Sequence, residues 1–238
     1  MKRIAVAMVL VAAAAAAQNA AGPAPGSRQA PVEIVGSHAV RVYTNPELHM
    51  TFAYPAELGT RDASAVAVVG RRMINGADAE SDPEHAKNDT CTKVLLSVGK
   101  EGGGGPAGAR VTVALFDVDV RCLPARALKN RKAMDAVLTN LAMLGTTVMG
   151  LMPIEQPMFY EIQGRRVHFC AAQGQPVAKT DVQSAESEVI GVAAMATGGH
   201  VLSWLLESND PATFNRLLGS QVDFGTGKPE RLFPAQFR

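Results

Sequence analysis

Four short apolar segments constrain the fold more than anything else in this chain. They lie at residues 158–162, 166–172, 187–196 and 200–207. Each has strand length and is bounded by turn residues. Gln163-Gly164 joins the first two tightly, and Thr197-Gly198-Gly199 joins the last two as a hairpin. Connections this short leave neighbouring strands antiparallel. Residues 174–185 form a longer polar loop between the two pairs.

Earlier segments add to the same pattern. Leu48, Met50, Phe52 and Tyr54 alternate with smaller or polar residues, as in a strand with one buried face, and Pro55 ends it. Thr60 is placed to cap a helix from about Arg61, with Ala65, Val66, Val69 and Met73 on one side and Asn75-Gly76 as its stop. Residues 91–99 and 110–122 read as two strands around a glycine-rich hairpin loop at 100–108. The clearest helix spans 125–144. Leu128, Met134, Leu138 and Leu141 fall on one stripe, and Lys129, Arg131, Lys132 and Asp135 lie mostly opposite. Pro124 suits its first turn and Gly145 its C-terminal cap. Asp210 caps a last helix that has Pro211 at its first position. Phe214, Leu217 and Leu218 form the buried side of that helix, and Gly219 stops it. Val222 and Phe224 make a final short strand before a tail with two prolines.

Two stretches together carry a family likeness. One is Phe52-Ala53-Tyr54-Pro55 on the first strand. The other runs from Ser208-Asn209-Asp210-Pro211 through Phe214, Leu217-Leu218, Ser220 and Phe224. Over about residues 40–224 the chain resembles the PsbP/Mog1-like superfamily. The resemblance implies an α+β fold with a central antiparallel sheet between helices. It implies no activity. Some members bind a photosystem and others a small GTPase, and no partner-binding motif for either role is matched here.

The first residues point to a compartment. Lys2 and Arg3 precede a charge-free run from Ile4 to Ala17, too short for a bilayer span of about 20 residues. With Ala15-Ala16-Ala17 as a cleavage site, the segment reads as a signal peptide, and the protein as exported to the periplasm or secreted. No other run approaches span length, so no membrane span is expected after cleavage. The readings divide the chain into a signal peptide at 1–17, a flexible tether at 18–39, one α+β domain at 40–225 and a C-terminal tail at 226–238.

Composition narrows function mainly by exclusion. Net charge is +1 over 238 residues. That balance argues against a duplex-binding protein, which shows a basic stripe, so no nucleic-acid partner is expected. Asp78, Glu80, Asp82, Glu84 and Asp89 lack EF-hand spacing and read as a solvated loop. The four glycines at 102–105 are followed by Pro106-Ala107, not by the Lys-Ser/Thr of a phosphate-binding loop. His168 and Cys170 share one face of a strand, but a zinc site needs a second ligand pair, which is absent. No G-x-S-x-G or S-x-x-K motif occurs. Asp117 and Asp119 also share a strand face and read as solvated acids rather than as an acid–base pair. Phe52, Tyr54, Phe116, Phe159, Phe169 and Trp204 are assigned to the core, because only 5% of the chain is aromatic. A nucleic-acid stacking platform would set basic residues beside exposed aromatics; Arg165-Arg166 is the only close case, follows a hairpin turn and is discounted. No catalytic residue, metal or cofactor is assigned.

The sharpest expectation is a disulfide between Cys91 and Cys122, since an exported protein meets an oxidising compartment. If the two cysteines face each other across the hairpin, the turn is centred between Pro106 and Ala107, inside the glycine-rich loop. Facing positions put alpha carbons about 4.5–5.5 Å apart, within disulfide range. The same register sets Leu96 against Asp117 and Val94 against Asp119, which a one-residue bulge would repair. Cys170 is then left as a buried thiol. The leading function class is an exported, non-catalytic domain that binds or supports a protein partner in the cell envelope. The alternatives are an extracytoplasmic hydrolase and a small-ligand carrier.

Overall fold

The computed structural model describes residues 32–35, 38–75, 91–101, 110–147, 151–154, 156–174 and 188–233. The chain opens with β1 (Val32–Val35), β2 (His38–Asn45), β3 (Met50–Pro55), β4 (Gly59–Thr60) and α1 (Ser64–Asn75). There follow β5 (Thr92–Lys100), β6 (Val111–Val118), a 3-10 turn at Val120–Cys122, α2 (Ala125–Lys129) and α3 (Arg131–Thr147). Next come β7 (Met152–Pro153), β8 (Met158–Ile162), β9 (Arg165–Gly174), β10 (Glu188–Thr197) and β11 (His200–Ser208). α4 (Pro211–Leu217), β12 (Gln221–Asp223) and β13 (Glu230–Arg231) complete the order.

The strands form two antiparallel sheets. The larger is eight-stranded, ordered β4-β5-β6-β11-β10-β9-β7, with β8 also pairing with β9. The smaller is five-stranded, ordered β1-β2-β3-β12-β13. Two tight turns set the β8-β9 and β10-β11 hairpins. Gln163 and Gly164 take φ of 48° and 74°, and Gly198 and Gly199 take 55° and 83°. Paired positive φ values are what a two-residue hairpin turn requires.

Period-two alternation gives the large sheet two distinct faces. Leu202, Trp204 and Leu206 of β11 point to a core shared with Phe52 of β3, Val222 of β12 and Phe214 of α4. Leu205 of β11 and Ala114 and Phe116 of β6 point the other way, to Val66 and Met73 of α1 and Ala142 of α3. Val118, Val201 and Ala194 extend that second face to Leu138 and Leu141 of α3. Helices α1 and α3 thus cover one face, and the small sheet and α4 cover the other. β11 is buried on both faces, so it reads as a near-continuous apolar run. The fold is α+β, as expected, but a second sheet does most of the covering on the side where helices were expected.

Several boundaries differ from the sequence reading, each for a local reason. β1 and the start of β2 lie in the stretch expected to be a flexible tether, because Val32 to Val35 pairs with Arg41 to His38. Thr60 pairs in β4 instead of capping α1, and the Asp62 side chain accepts the Ser64 N–H at 2.9 Å. The helix expected at 125–144 is two helices. Asn130 leaves the helical region (φ −140°, ψ 117°), and its side chain accepts the N–H groups of Lys132 and Ala133, capping α3. Leu138 and Leu141 are buried as expected, but Leu128 is 52% exposed and Ala127 takes the inward place. α3 also runs past Gly145 to Thr147. The expected tail contributes β13 and two core residues, Leu232 and Phe233. The glycine-rich residues 102–108, the acidic stretch 78–89 and the N-terminal segment lie outside the described residues.

Candidate functional site

Cys91 and Cys122 are joined by a disulfide with alpha carbons 5.8 Å apart. They do not face each other directly. The β5-β6 register pairs Val94 with Phe116 and Leu96 with Leu115, so Leu95 is a one-residue bulge. Leu96 therefore meets Leu115, not Asp117. The Asp119 N–H donates to the Cys91 carbonyl at 2.8 Å, which closes the strand pair three residues before Cys122. The 3-10 turn then folds Cys122 back toward Cys91. Asp119 starts that turn by accepting the Arg121 N–H and pairing with its guanidinium at 2.6 Å, which holds the Asp119 carboxyl down at about 2. Cys170 is the free, buried thiol, and burial pushes its pKa up.

Asp117 and Asp119 are thereby separated in role. Asp117 remains in β6 and receives the half-exposed His200 ring, whose Nδ1 lies 3.0 Å from its Oδ2. Such a pair can hold one imidazole tautomer, but a base alone needs a nucleophile or a substrate group. Among the described residues no group of three His, Cys, Asp or Glu side chains could hold a metal ion.

A second histidine–aspartate pair lies under α3. His168 of β9 is 4% exposed. Its Nε2 is 3.3 Å from Asp135 Oδ1, and its Nδ1 is 2.9 Å from the Thr139 hydroxyl. Asp135 and Thr139 are one helical turn apart, so both reach the same ring. The Thr139 hydroxyl also lies 2.9 Å from the Asp135 carbonyl. A neutral ring donates from Nε2 to Asp135 and accepts the Thr139 hydroxyl at Nδ1. A charged ring donates from both nitrogens, and the hydroxyl turns to the Asp135 carbonyl. Burial holds the His168 pKa below the usual histidine range, against the pull of Asp135. Through Asp135 and Thr139 the ring fastens α3 to β9.

The polar cluster continues outward to the surface. Arg166 Nη1 binds Asp135 Oδ2 at 2.8 Å, and its guanidinium lies 5.0 Å from the centre of the Phe159 ring. Phe159 is 65% exposed, against the expectation that it is core. The reason is the alternation of β8: Ile162 is buried and Met158 and Tyr160 pack inward, so Phe159 and Glu161 face out. Tyr160 is fixed by a hydrogen bond from its hydroxyl to the Leu232 carbonyl, and burial raises its pKa. Among the described residues β8 pairs with β9 alone.

No family model and no curated protein matches the chain.

The site thus has three parts: an edge strand, an exposed aromatic on it, and a partly buried ion-pair chain that fixes the cation beside that aromatic. Sequence reasoning grouped His168 with Cys170 and missed Asp135, Thr139 and Phe159. The signal for Asp135 and Thr139 was their one-turn spacing on a helix. That for Phe159 was its place opposite Met158 and Tyr160 in a short strand. Among the described residues no helix is long and apolar enough to cross a membrane.

Proposed function

We propose that the protein is an exported, non-catalytic domain that docks a protein partner in the cell envelope along the β8 edge. The observation that carries this is Phe159. An exposed aromatic in an edge strand favours pairing with another chain unless something covers it. Aromatic and arginine side chains are also the usual anchors of protein interfaces. Arg166 is held in place by Asp135, so the anchor is preorganised rather than floppy. The disulfide supports export, because such bonds persist in oxidising compartments. The PsbP/Mog1-like resemblance belongs to the same proposal. It is supported by the α+β architecture and by the Asp210 cap with Pro211 at the start of α4.

The test is site-specific photocrosslinking in exporting cells. A photoreactive residue at Phe159 is expected to give a discrete protein adduct that one at the exposed Glu230 does not. Absence of an adduct at Phe159, or the same adducts at both positions, contradicts the proposal.

A further inference from the structure

The turn after the disulfide leads into a run of exposed positive charge that spans α2 and the start of α3. Arg121, Arg126, Lys129, Arg131 and Lys132 are all exposed, and no acid lies between the first and the last of them. Arg121 pairs with Asp119, and Arg131 stands 4.0 Å from Glu161 of β8. No ion pair is found for Arg126, Lys129 or Lys132 among the described residues. The backbone beneath them is held firmly. Cys122 is tied to Cys91, Leu123 and Ala127 are buried, and Asn130 caps α3. The break at Asn130 leaves Leu128 exposed in the middle of the cations.

We propose that this surface docks on an anionic phospholipid bilayer. The attraction is local, since the whole chain carries only +1. Each lysine or arginine near an anionic membrane surface strengthens binding about fivefold. Leu128 enters the boundary between headgroups and acyl chains, where an apolar side chain surrounded by cations is stabilised. A soluble polyanion would use the same charges and gain nothing from Leu128, which is why the bilayer is the better occupant. This role uses residues other than the β8 edge and stands or falls separately from it.

The test is cosedimentation with vesicles of phosphatidylcholine alone and of phosphatidylcholine mixed equally with phosphatidylglycerol. Protein is purified after export, so every arm carries the same N-terminus. Binding is expected on the anionic vesicles only and is weakened by salt. Lys129→Glu combined with Lys132→Glu is expected to weaken it by at least about 30-fold, and Leu128→Gln by about tenfold. Lys228→Glu combined with Arg231→Glu makes the same change in net charge elsewhere and is expected to leave binding intact. Equal binding to both vesicle types overturns the proposal, as does an equal loss from the two charge-reversal pairs. So does an unchanged Leu128→Gln whose binding is fully competed by inorganic polyphosphate, which assigns the surface to a soluble polyanion.

Discussion

The two faces of the large sheet are built from different materials. The face toward the small sheet buries Trp204, Phe52, Phe169, Phe214 and Phe233 against one another, with Phe169 and Phe233 edge to face at 5.6 Å. The face toward the helices buries smaller residues, including Ala114, Ala142, Ala172, Ala194 and Cys170. It also admits polar groups such as His168, Ser203 and Thr146. The phenylalanine rings fill a thick layer without hydrogen-bond demands, whereas the buried Trp204 indole N–H finds no partner among the described residues. Small residues let helices approach closely, as at Gly70, where an added Cβ would come within 2.8 Å of the Phe116 ring. His168 and Thr146 are hydrogen-bonded there, the Ser203 hydroxyl finds no partner among the described residues, and the His168–Asp135 pair reaches the surface through Arg166. The first face is therefore packing, and the second is packing that also holds the Arg166 side chain at the surface.

The largest effect that can break this contrast is on the aromatic face. Trp204→Ala is expected to cost about 3–5 kcal/mol, because the side chain is fully buried. A loss below about 1 kcal/mol in urea unfolding would mean that this face is not the main source of stability. On the helix face, Leu138→Ala is expected to cost about 2–5 kcal/mol. Leu128→Ala, ten positions earlier on the stripe first drawn, is expected to change stability by less than about 0.5 kcal/mol. Equal shifts in the two denaturation midpoints would restore a single continuous helix and undo the break at Asn130.

That pair also shows how far the sequence could be read. The strands β8 to β11 were legible because their glycine turns and alternation are local signals. The break between α2 and α3 was not, since a mid-helix asparagine looks tolerable until its side chain is seen capping the N–H groups of Lys132 and Ala133. Leu232 and Phe233 were hidden by the prolines and glycines around them; the β12-β13 pairing and the bonds of Leu232 to Ser220 and Tyr160 carry them to the core. The Cys91–Cys122 pairing was legible, but its geometry was not. It depends on the Leu95 bulge and a 3-10 turn, neither of which leaves a periodic trace. Phe159 was misplaced because scarcity of aromatics argues for burial, whereas the pleat of an edge strand decides it.

The disulfide tests whether the 3-10 turn before α2 is held as described. Replacing Cys91 and Cys122 together with serine is expected to cost about 3–4 kcal/mol. A non-reduced digest is expected to show the 91–122 crosslinked peptide and one alkylatable thiol at Cys170. A peptide joining Cys170 to either other cysteine would contradict the pairing.

A smaller effect probes the polar side of the contrast. Burial lowers the folded pKa of His168 below its unfolded value. The stability contributed by its neutral ring is therefore complete above about pH 6.5 and is lost as pH falls through the lower folded value. His168→Gln is expected to flatten that part of the melting-temperature profile. An unchanged slope would remove His168 from the pH response.

The most direct measurement is amide hydrogen exchange across residues 158–162, comparing the purified protein with the protein in its native envelope. The alternate amides of β8 that face away from β9 are open to solvent unless another strand covers them. Slower exchange at those amides in the envelope, with β9 and β10 unchanged, is the expected result. Equal exchange in both states would contradict docking along β8.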